Sequence, residues 1–370
     1  MFPPRIALQR AFTRLEITNI KIPIFQKVVK LPSGGYEIQI KLLSGSSYTS
    51  FEKKREKLEV ALKAEKVTFK KIRSNVVQIS VIKSFPKSFP QSPLNQLSLF
   101  PDNRMSIPVG LDSKGEVFEL PLWNDSGGTV TLIGGNPGFG KSSALQVIVS
   151  GLMEGSSAIF WIDLKGASDA GKFRGRVEAV SDPTDTQGAL NILNNLMALI
   201  QRRNQLIGRG IDIRALSPVL LIIDEWSLLG MDAKGSKADI DKTLRAIAST
   251  GRSAYVSLVL ATQRPTSTNI DVATRELASN RIAFSVGDEH ASIAILGRKG
   301  AEMTAAQMPP GTAIISLNGQ EFRVNFYGVA DDLSARVVGT SGLIKSFSDL
   351  DFELDTLERE HKLQKSAGNP

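Results

Sequence analysis

Residues Gly135-Asn136-Pro137-Gly138-Phe139-Gly140-Lys141-Ser142 fill every fixed position of G-x-x-x-x-G-K-[ST], and Ser143 follows directly. The run leaves the apolar stretch 129–134 and opens the helix-like stretch 141–153, which is the setting such a loop requires. Its residue types have a physical purpose. Glycines let successive backbone N–H groups wrap phosphate oxygens, and the start of a helix adds positive potential. Lys141 is then placed to neutralise β- and γ-phosphate charge, and Ser142 Oγ to ligate Mg2+. Residues 135–143 are therefore the candidate ATP-binding set, with ATP and Mg2+ as the expected cofactors.

Around this loop the pattern is α/β. Strand-like runs at 129–134, 158–163, 219–224, 255–262, 281–286, 312–317 and 322–329 alternate with helix-like stretches at 141–153, 185–207 and 239–249. Several of the strands are almost wholly apolar, as expected when both faces of a sheet are covered. The pattern predicts a doubly wound, largely parallel sheet over residues 106–330. Residues 1–85 read differently. Tyr36-Glu37-Ile38-Gln39-Ile40-Lys41-Leu42 alternates apolar and polar, residues 50–64 form a charged helix with Phe51, Leu58 and Leu62 on one side, and 67–82 gives two strands around Arg73-Ser74-Asn75. A small α+β domain is expected there. Pro86, Pro90, Pro93 and Pro101 mark 86–105 as a linker, and 331–370 reads as a charged helical tail.

Charge separates the same regions. Residues 1–90 hold 18 Lys/Arg against 6 Asp/Glu, whereas the whole chain is only +8. A basic first quarter suits a polyanion, either nucleic acid or an anionic membrane surface, with a solvated basic face as the plain alternative. Leu8, Ala11, Phe12 and Leu15 form the apolar stripe of a short basic helix, expected to dock rather than to anchor. There is no cysteine, which excludes disulfides and thiolate chemistry. His290 and His361, the only histidines, have no partner at zinc-ligand spacing. No run of about 18 apolar residues is present, so no membrane-spanning helix or signal peptide is readable, and a cytoplasmic location is expected.

Two further strand ends carry chemistry. Val219-Leu220-Leu221-Ile222-Ile223-Asp224-Glu225 is an apolar strand closed by two carboxylates. Asp224 suits the Mg2+ shell and Glu225 the general base that polarises an attacking water. With the glycine-rich loop, the pair points to hydrolysis rather than binding alone. The strand 255–262 ends in Gln263, placed to sense the γ-phosphate; a turn-forming glutamine is the simpler alternative.

Further segments then fall into order: Ile162-Asp163-Leu164-Lys165-Gly166, Ile223-Asp224-Glu225-Trp226, Thr250-Gly251-Arg252-Ser253-Ala254, Ala261-Thr262-Gln263-Arg264-Pro265, Asn280-Arg281-Ile282-Ala283-Phe284 and Gly300-Ala301-Glu302. Together they resemble the motor domain of FtsK/SpoIIIE-type DNA translocases of the HerA–FtsK superfamily, with Leu164 where that family has proline. The first segment resembles the small pre-motor domain of conjugative translocases from actinobacterial plasmids and integrative elements. The resemblance implies a RecA-like ATPase working as a homo-oligomeric ring, usually a hexamer, on double-stranded DNA. It implies Arg252 as an arginine finger acting on a neighbour's nucleotide, and leaves Lys165 and Arg281 open between site and scaffold. Pore-facing DNA contacts are expected from Lys172, Arg174 and Arg176, and secondarily from Arg298 and Lys299; ordinary exposed loops are the alternative. Neither membrane helices nor a sequence-reading winged helix after residue 330 is expected, which favours a compact motor of a mobile element served by a recruitment protein or a membrane-bound partner. Type VII secretion ATPases and HerA-like end-processing helicases share the fold and these motifs.

Overall fold

The computed structural model describes residues 4–15, 24–32, 34–43, 48–84, 106–152, 156–163, 165, 169–173, 175–180, 182, 185–228, 237–263, 272–304, 307–328 and 345–367. The chain divides into two compact units, residues 1–88 with 111–117 and residues 89–110 with 118–370. The linker expected at 86–105 lies outside the described residues.

The small unit holds α1 (Pro4–Arg14), β1 (Ile24–Lys30), β2 (Tyr36–Lys41), α2 (Tyr48–Lys53), α3 (Arg55–Leu62), β3 (Lys66–Arg73) and β4 (Val76–Ile82). The strands form an antiparallel sheet in the order β1-β2-β4-β3. Period-two alternation sends Tyr36, Ile38 and Ile40 into a core shared with Val77, Ile79 and Val81, while Glu37, Gln39 and Lys41 take the other face. Leu8, Ala11 and Phe12 of α1 are buried in that core, and Phe51 packs edge-on against Phe12. The apolar stripe of α1 thus has a protein partner. The single helix expected over 50–64 is two, broken at Lys54, whose ammonium bonds the Leu15 carbonyl. Strand β1 had no clear sequence signal: its residues are exposed or half-buried, and a bulge between Phe25 and Lys27 spoils the alternation.

The remaining elements, in the large unit apart from the β5–β6 turn 111–117, are β5 (Ser106–Asp112), β6 (Val117–Pro121), β7 (Trp123–Asn124), β8 (Gly127–Gly128), β9 (Val130–Gly134), α4 (Lys141–Leu152), β10 (Ala158–Asp163), β11 (Glu178–Val180), α5 (Thr186–Gly208), β12 (Val219–Asp224), α6 (Lys237–Thr250), β13 (Val256–Thr262), α7 (Val272–Leu277), β14 (Asn280–Ala283), α8 (Glu289–Leu296), β15 (Thr312–Leu317), β16 (Gln320–Phe326) and α9 (Phe347–Ala367). Ten strands make one sheet in the order β11-β10-β12-β13-β9-β14-β15-β16-β5-β6. The first six run parallel, and β15 and β16 are antiparallel additions. Every residue of β9, β10, β12 and β13 is buried, which is why these strands lack alternation. The doubly wound α/β expectation is met. Among the described residues no helix is long and apolar enough to cross a membrane.

Two anchors hold α5. At its start Asp185 caps the helix by accepting from Gly188 N at 2.7 Å. Near its end Arg203, fully buried, donates to the carbonyls of Ala254 and Ser217 at 2.9 and 2.8 Å, and burial pushes its pKa down to about 10. Helix α9 lies against α5: Leu350 and Leu354 are fully buried in the core, and Arg202 pairs with Asp351 and Asp355. Phe347 stacks on Phe160 of β10 with ring centroids 4.2 Å apart, and Glu353 accepts from Ser217 N and Oγ. The C-terminal segment, expected as a charged tail, has its helix packed into the sheet's cover.

Candidate nucleotide site

Parallel register brings the strand ends together. Gly134 lies beside Thr262, Asp224 beside Ala261, and Asp163 beside Asp224, so one edge of the sheet collects the start of the glycine-rich loop and the tips of β10, β12 and β13. The loop itself is fixed from outside: Asn136 N donates to Ser285 O at 2.8 Å, and Gly311 N donates to Phe139 O at 2.8 Å. Gly140 has φ +113, and a Cβ there would sit 3.1 Å from the Gly311 backbone, so a side chain would be strained by the backbone conformation and crowded by its neighbour.

Behind the loop is a buried cluster of charge. Lys141 and Asp224 are 4% and 1% exposed at their side chains, with Nζ 3.3 Å from Oδ1. Lys165 Nζ lies 3.0 Å from the same Oδ1 and 3.4 Å from Glu225 Oε2, bridging both carboxylates. Burial pushes the Lys141 pKa down to about 8, against the pull of Asp224, and the neighbouring Lys165 charge lowers it further. Lys165 moves the other way: burial opposes its charge, but Asp224 and Glu225 outweigh that and raise its pKa. Asp163 is raised, first by burial and then by Asp224, although it accepts from Lys165 N at 3.2 Å.

Glu225 is held in an unusual conformation. Its φ is +57, the left-handed region that costs a non-glycine residue about 1–2 kcal/mol. The backbone is pinned by Glu225 N donating to Ala261 O at 2.9 Å. The carboxylate accepts from Thr262 Oγ1 at 2.8 Å and from Gln263 N at 3.1 and 3.3 Å. Gln263 therefore meets Glu225 through its backbone amide.

The group best suited to this edge is a magnesium-bound nucleoside triphosphate. Asp224 Oδ2 is buried and has no hydrogen-bond partner, so a fixed acceptor stands ready where a hydrated cation is needed. Lys141 and the amides of 135–142 supply positive potential beside it. The donor set fits the group.

Arg252 is elsewhere. It sits exposed in the turn after α6, whose backbone bonds Gly128 and Tyr255, and its guanidinium bonds no described residue. That turn precedes β13, so the length of the strand separates it from the catalytic edge. Arg203 and Asn204 of α5 hold the turn through Ala254 O and Thr250 O. The expected DNA contacts differ in availability. Lys172 is exposed and lies 3.6 Å from Asp169, Arg176 is half-buried and already bonded, and Arg174 lies outside the described residues. Arg298 is engaged by Glu321, and Lys299 by Glu289. Arg281 donates to the carbonyls of Ala278, Ile295 and Arg275, a clamp within the fold. Sequence reasoning did not assign Asp163 or Thr262 to the site; the available signal was a polar residue ending each apolar strand.

No family model matches the chain. The type VII secretion system protein EssC of Staphylococcus aureus (strain NCTC 8325 / PS 47) is 28% identical over 242 residues, 59% of this chain and 16% of that protein. The ESX secretion system protein EccC of Geobacillus thermodenitrificans (strain NG80-2) is 29% identical over 250 residues, 61% of this chain and 16% of that protein. The matches thus span about a sixth of these relatives' length. Among solved structures, the pCW3 conjugation coupling protein TcpA, in monomer form with ATPgS, superposes with a TM-score of 0.60 at 17% identity, covering 90% of this chain and 98% of that one. The cytoplasmic domain of the Thermomonospora curvata type VII secretion ATPase EccC gives 0.56 at 20% identity, covering 70% and 36%. The chain shares its fold with these two proteins, the second of which is described as a type VII secretion ATPase.

Proposed function

We propose that this chain hydrolyses ATP with Mg2+ and uses the cycle to translocate double-stranded DNA as a ring of identical subunits, in conjugative or other mobile-element transfer. The observation that carries the ATPase part is the convergence of Lys141, Lys165, Asp224 and Glu225 on one sheet edge. Lys141 and the loop amides would hold the phosphates, and Ser142 Oγ and Asp224 would hold the cation, which when bound would supply neutralisation of charge on the transferred phosphoryl group. Glu225 receives the proton of the attacking water. Thr262, Lys165 and the Gln263 amide hold its carboxylate, and Gln263 senses the γ-phosphate through this link.

The ring is supported by Arg252, an exposed guanidinium without a partner among the described residues and too far from its own chain's carboxylates to assist them. An adjacent subunit can present it to the nucleotide. DNA as the cargo is supported by the ordered motifs and by the basic first quarter of the chain. The similarity to a conjugation coupling protein over 90% of the chain points the same way.

Protein export is the second reading, favoured by the sequence similarity to EssC and EccC. Steady-state ATPase activity, titrated with linear double-stranded DNA at two salt concentrations, separates them. Strong stimulation that weakens with salt supports translocation on DNA. Turnover that ignores DNA in assembled protein transfers the assignment to export.

A further inference from the structure

We propose that the face of the four-stranded sheet turned away from its helices, in the small unit, is a docking surface for the phosphate backbone of double-stranded DNA, its contacts made by the exposed Lys and Arg of β1, β2 and β3. The proposal rests on the reading of this chain as acting on DNA, and it names a contact surface outside the ATPase unit.

Register defines the face. Lys27, Gln39, Gln78 and Lys70 occupy one row across all four strands, and Lys41, Val76 and Arg73 occupy the next. The neighbouring row Val28, Ile38, Ile79 and Phe69 points the opposite way, into the core beneath α1, α2 and α3. Lys27, Lys41, Lys70 and Arg73 are exposed and form no ion pair with any described residue. At about 4.8 Å between strands, Lys27 and Lys70 stand about 14 Å apart, with the second row some 7 Å along. A duplex presents a phosphate charge for about every 1.7 Å of its axis, so a patch of this size can meet several at once.

Three details favour nucleic acid. First, the one carboxylate that the strands themselves place on the face is paired there with Lys114, which Glu116 and Asp112 also approach. Glu37 is 2.7 Å from Lys114 and accepts from Ser80 and Gln78 at 2.7 and 2.8 Å; although burial opposes its charge, these contacts lower its pKa. Glu52, Glu56 and Glu59 all lie on the helices covering the other face. Second, the centre of the patch is amide, with Gln39 donating to Gln78, which suits hydrogen bonding to phosphate and sugar oxygens. The exposed apolar residues of the sheet, Ile24 and Val29 on β1 and Ile72 on β3, sit on its two edge strands, so there is no exposed central apolar wedge of the kind an acyl boundary rewards. Third, no aromatic side chain lies on the face: Phe25, Tyr36 and Phe69 belong to the core side. A platform for stacking single-stranded bases needs such rings, and a surface for duplex backbone does not.

The test is equilibrium binding of the full chain to a fluorescent duplex of roughly 40 base pairs, followed as a function of salt. Two fourfold Gln variants are compared. One changes Lys27, Lys41, Lys70 and Arg73; the other removes the same charge from the helical side at Arg14, Lys53, Lys57 and Lys63, all exposed. Thermal unfolding of both establishes that the fold is retained. The slope of log K against log salt is expected to shrink by up to about 3.6 in the sheet-face variant and by much less in the helical-side variant, at ~0.9 per phosphate contact. Equal slopes in the two variants overturn the docking surface while leaving the DNA reading intact. A wild-type chain that binds no duplex overturns both. Binding to phosphatidylserine vesicles that only the sheet-face variant loses would reassign the face to a membrane and likewise overturn the proposal.

Discussion

Arg252 gives the sharpest test of how the catalytic site is completed. Its turn stands at the start of β13, and the carboxylates stand at the level of Ala261 and Thr262 at the other end. Six residue steps at 3.3 Å place it about 20 Å from its own Glu225, beyond two Debye lengths at physiological salt. Its charge therefore contributes nothing measurable to its own nucleotide, and any catalytic effect has to come from a neighbour. Arg252→Ala is expected to lower turnover about 10³-fold or more at saturating ATP, the scale of a lost arginine finger. Glu225→Gln alone is expected to fall about 10²–10⁴-fold, the scale of a lost general base. Neither variant has a complete site, yet they are complementary. In a randomly mixed ring, about one interface in four joins an intact Glu225 to an intact Arg252, so an equal mixture should recover about a quarter of wild-type turnover. The assay is steady-state phosphate release after subunit exchange, with DNA present. A mixture no faster than the mean of the two variants would refute supply from a neighbour.

Glu225→Gln should retain nucleotide binding, read by a fluorescent analogue, while hydrolysis fails; near-normal turnover would remove Glu225 as the base. Lys165→Ala removes the cation that bridges the two buried carboxylates, and the nucleotide-free protein in EDTA should lose about 2–10 °C of Tm, from about 1–3 kcal/mol. An unchanged Tm would mean the bridge is not formed in solution. Burial pushes the Lys141 pKa down to about 8, and bound phosphate favours its charged form. Nucleotide binding should then take up more protons at pH 8 than at pH 6.5, with affinity falling as pH rises through the lowered pKa. Calorimetry in buffers of different ionisation enthalpy reads this directly, and equal uptake at both pH values would contradict the depressed pKa.

What could be read from the sequence was whatever is contiguous. The loop 135–142 and the acid pair Asp224-Glu225 carry their meaning in neighbouring residues, and the buried strands announce themselves by unbroken apolar runs. The bridge made by Lys165 was not readable. It depends on Asp163 of β10 lying level with Asp224 of β12, a register between strands some sixty residues apart that local sequence does not encode. The left-handed backbone at Glu225 was equally hidden, because glutamate gives no hint of it and the bonds that hold it come from β13, at Ala261 and Thr262. At Lys54 a helical period ran straight through a break created by a tertiary contact with Leu15. Residues 331–370 read as a charged helical tail because charges dominate the composition. Their partners Arg202 and Arg209 lie well over a hundred residues earlier.

The seat of α9 also sets a timetable. Phe160 is in β10, but the ring that covers it belongs to Phe347, roughly two hundred residues later on the chain. At about 5–20 residues per second of synthesis, that side of the sheet waits on the order of 10–40 s for its cover. During that interval the nascent chain exposes an apolar surface, and helper proteins that shield such surfaces have their opening. Slow translation downstream of β10 should therefore lower the yield of soluble protein without altering the stability of the molecules that finish.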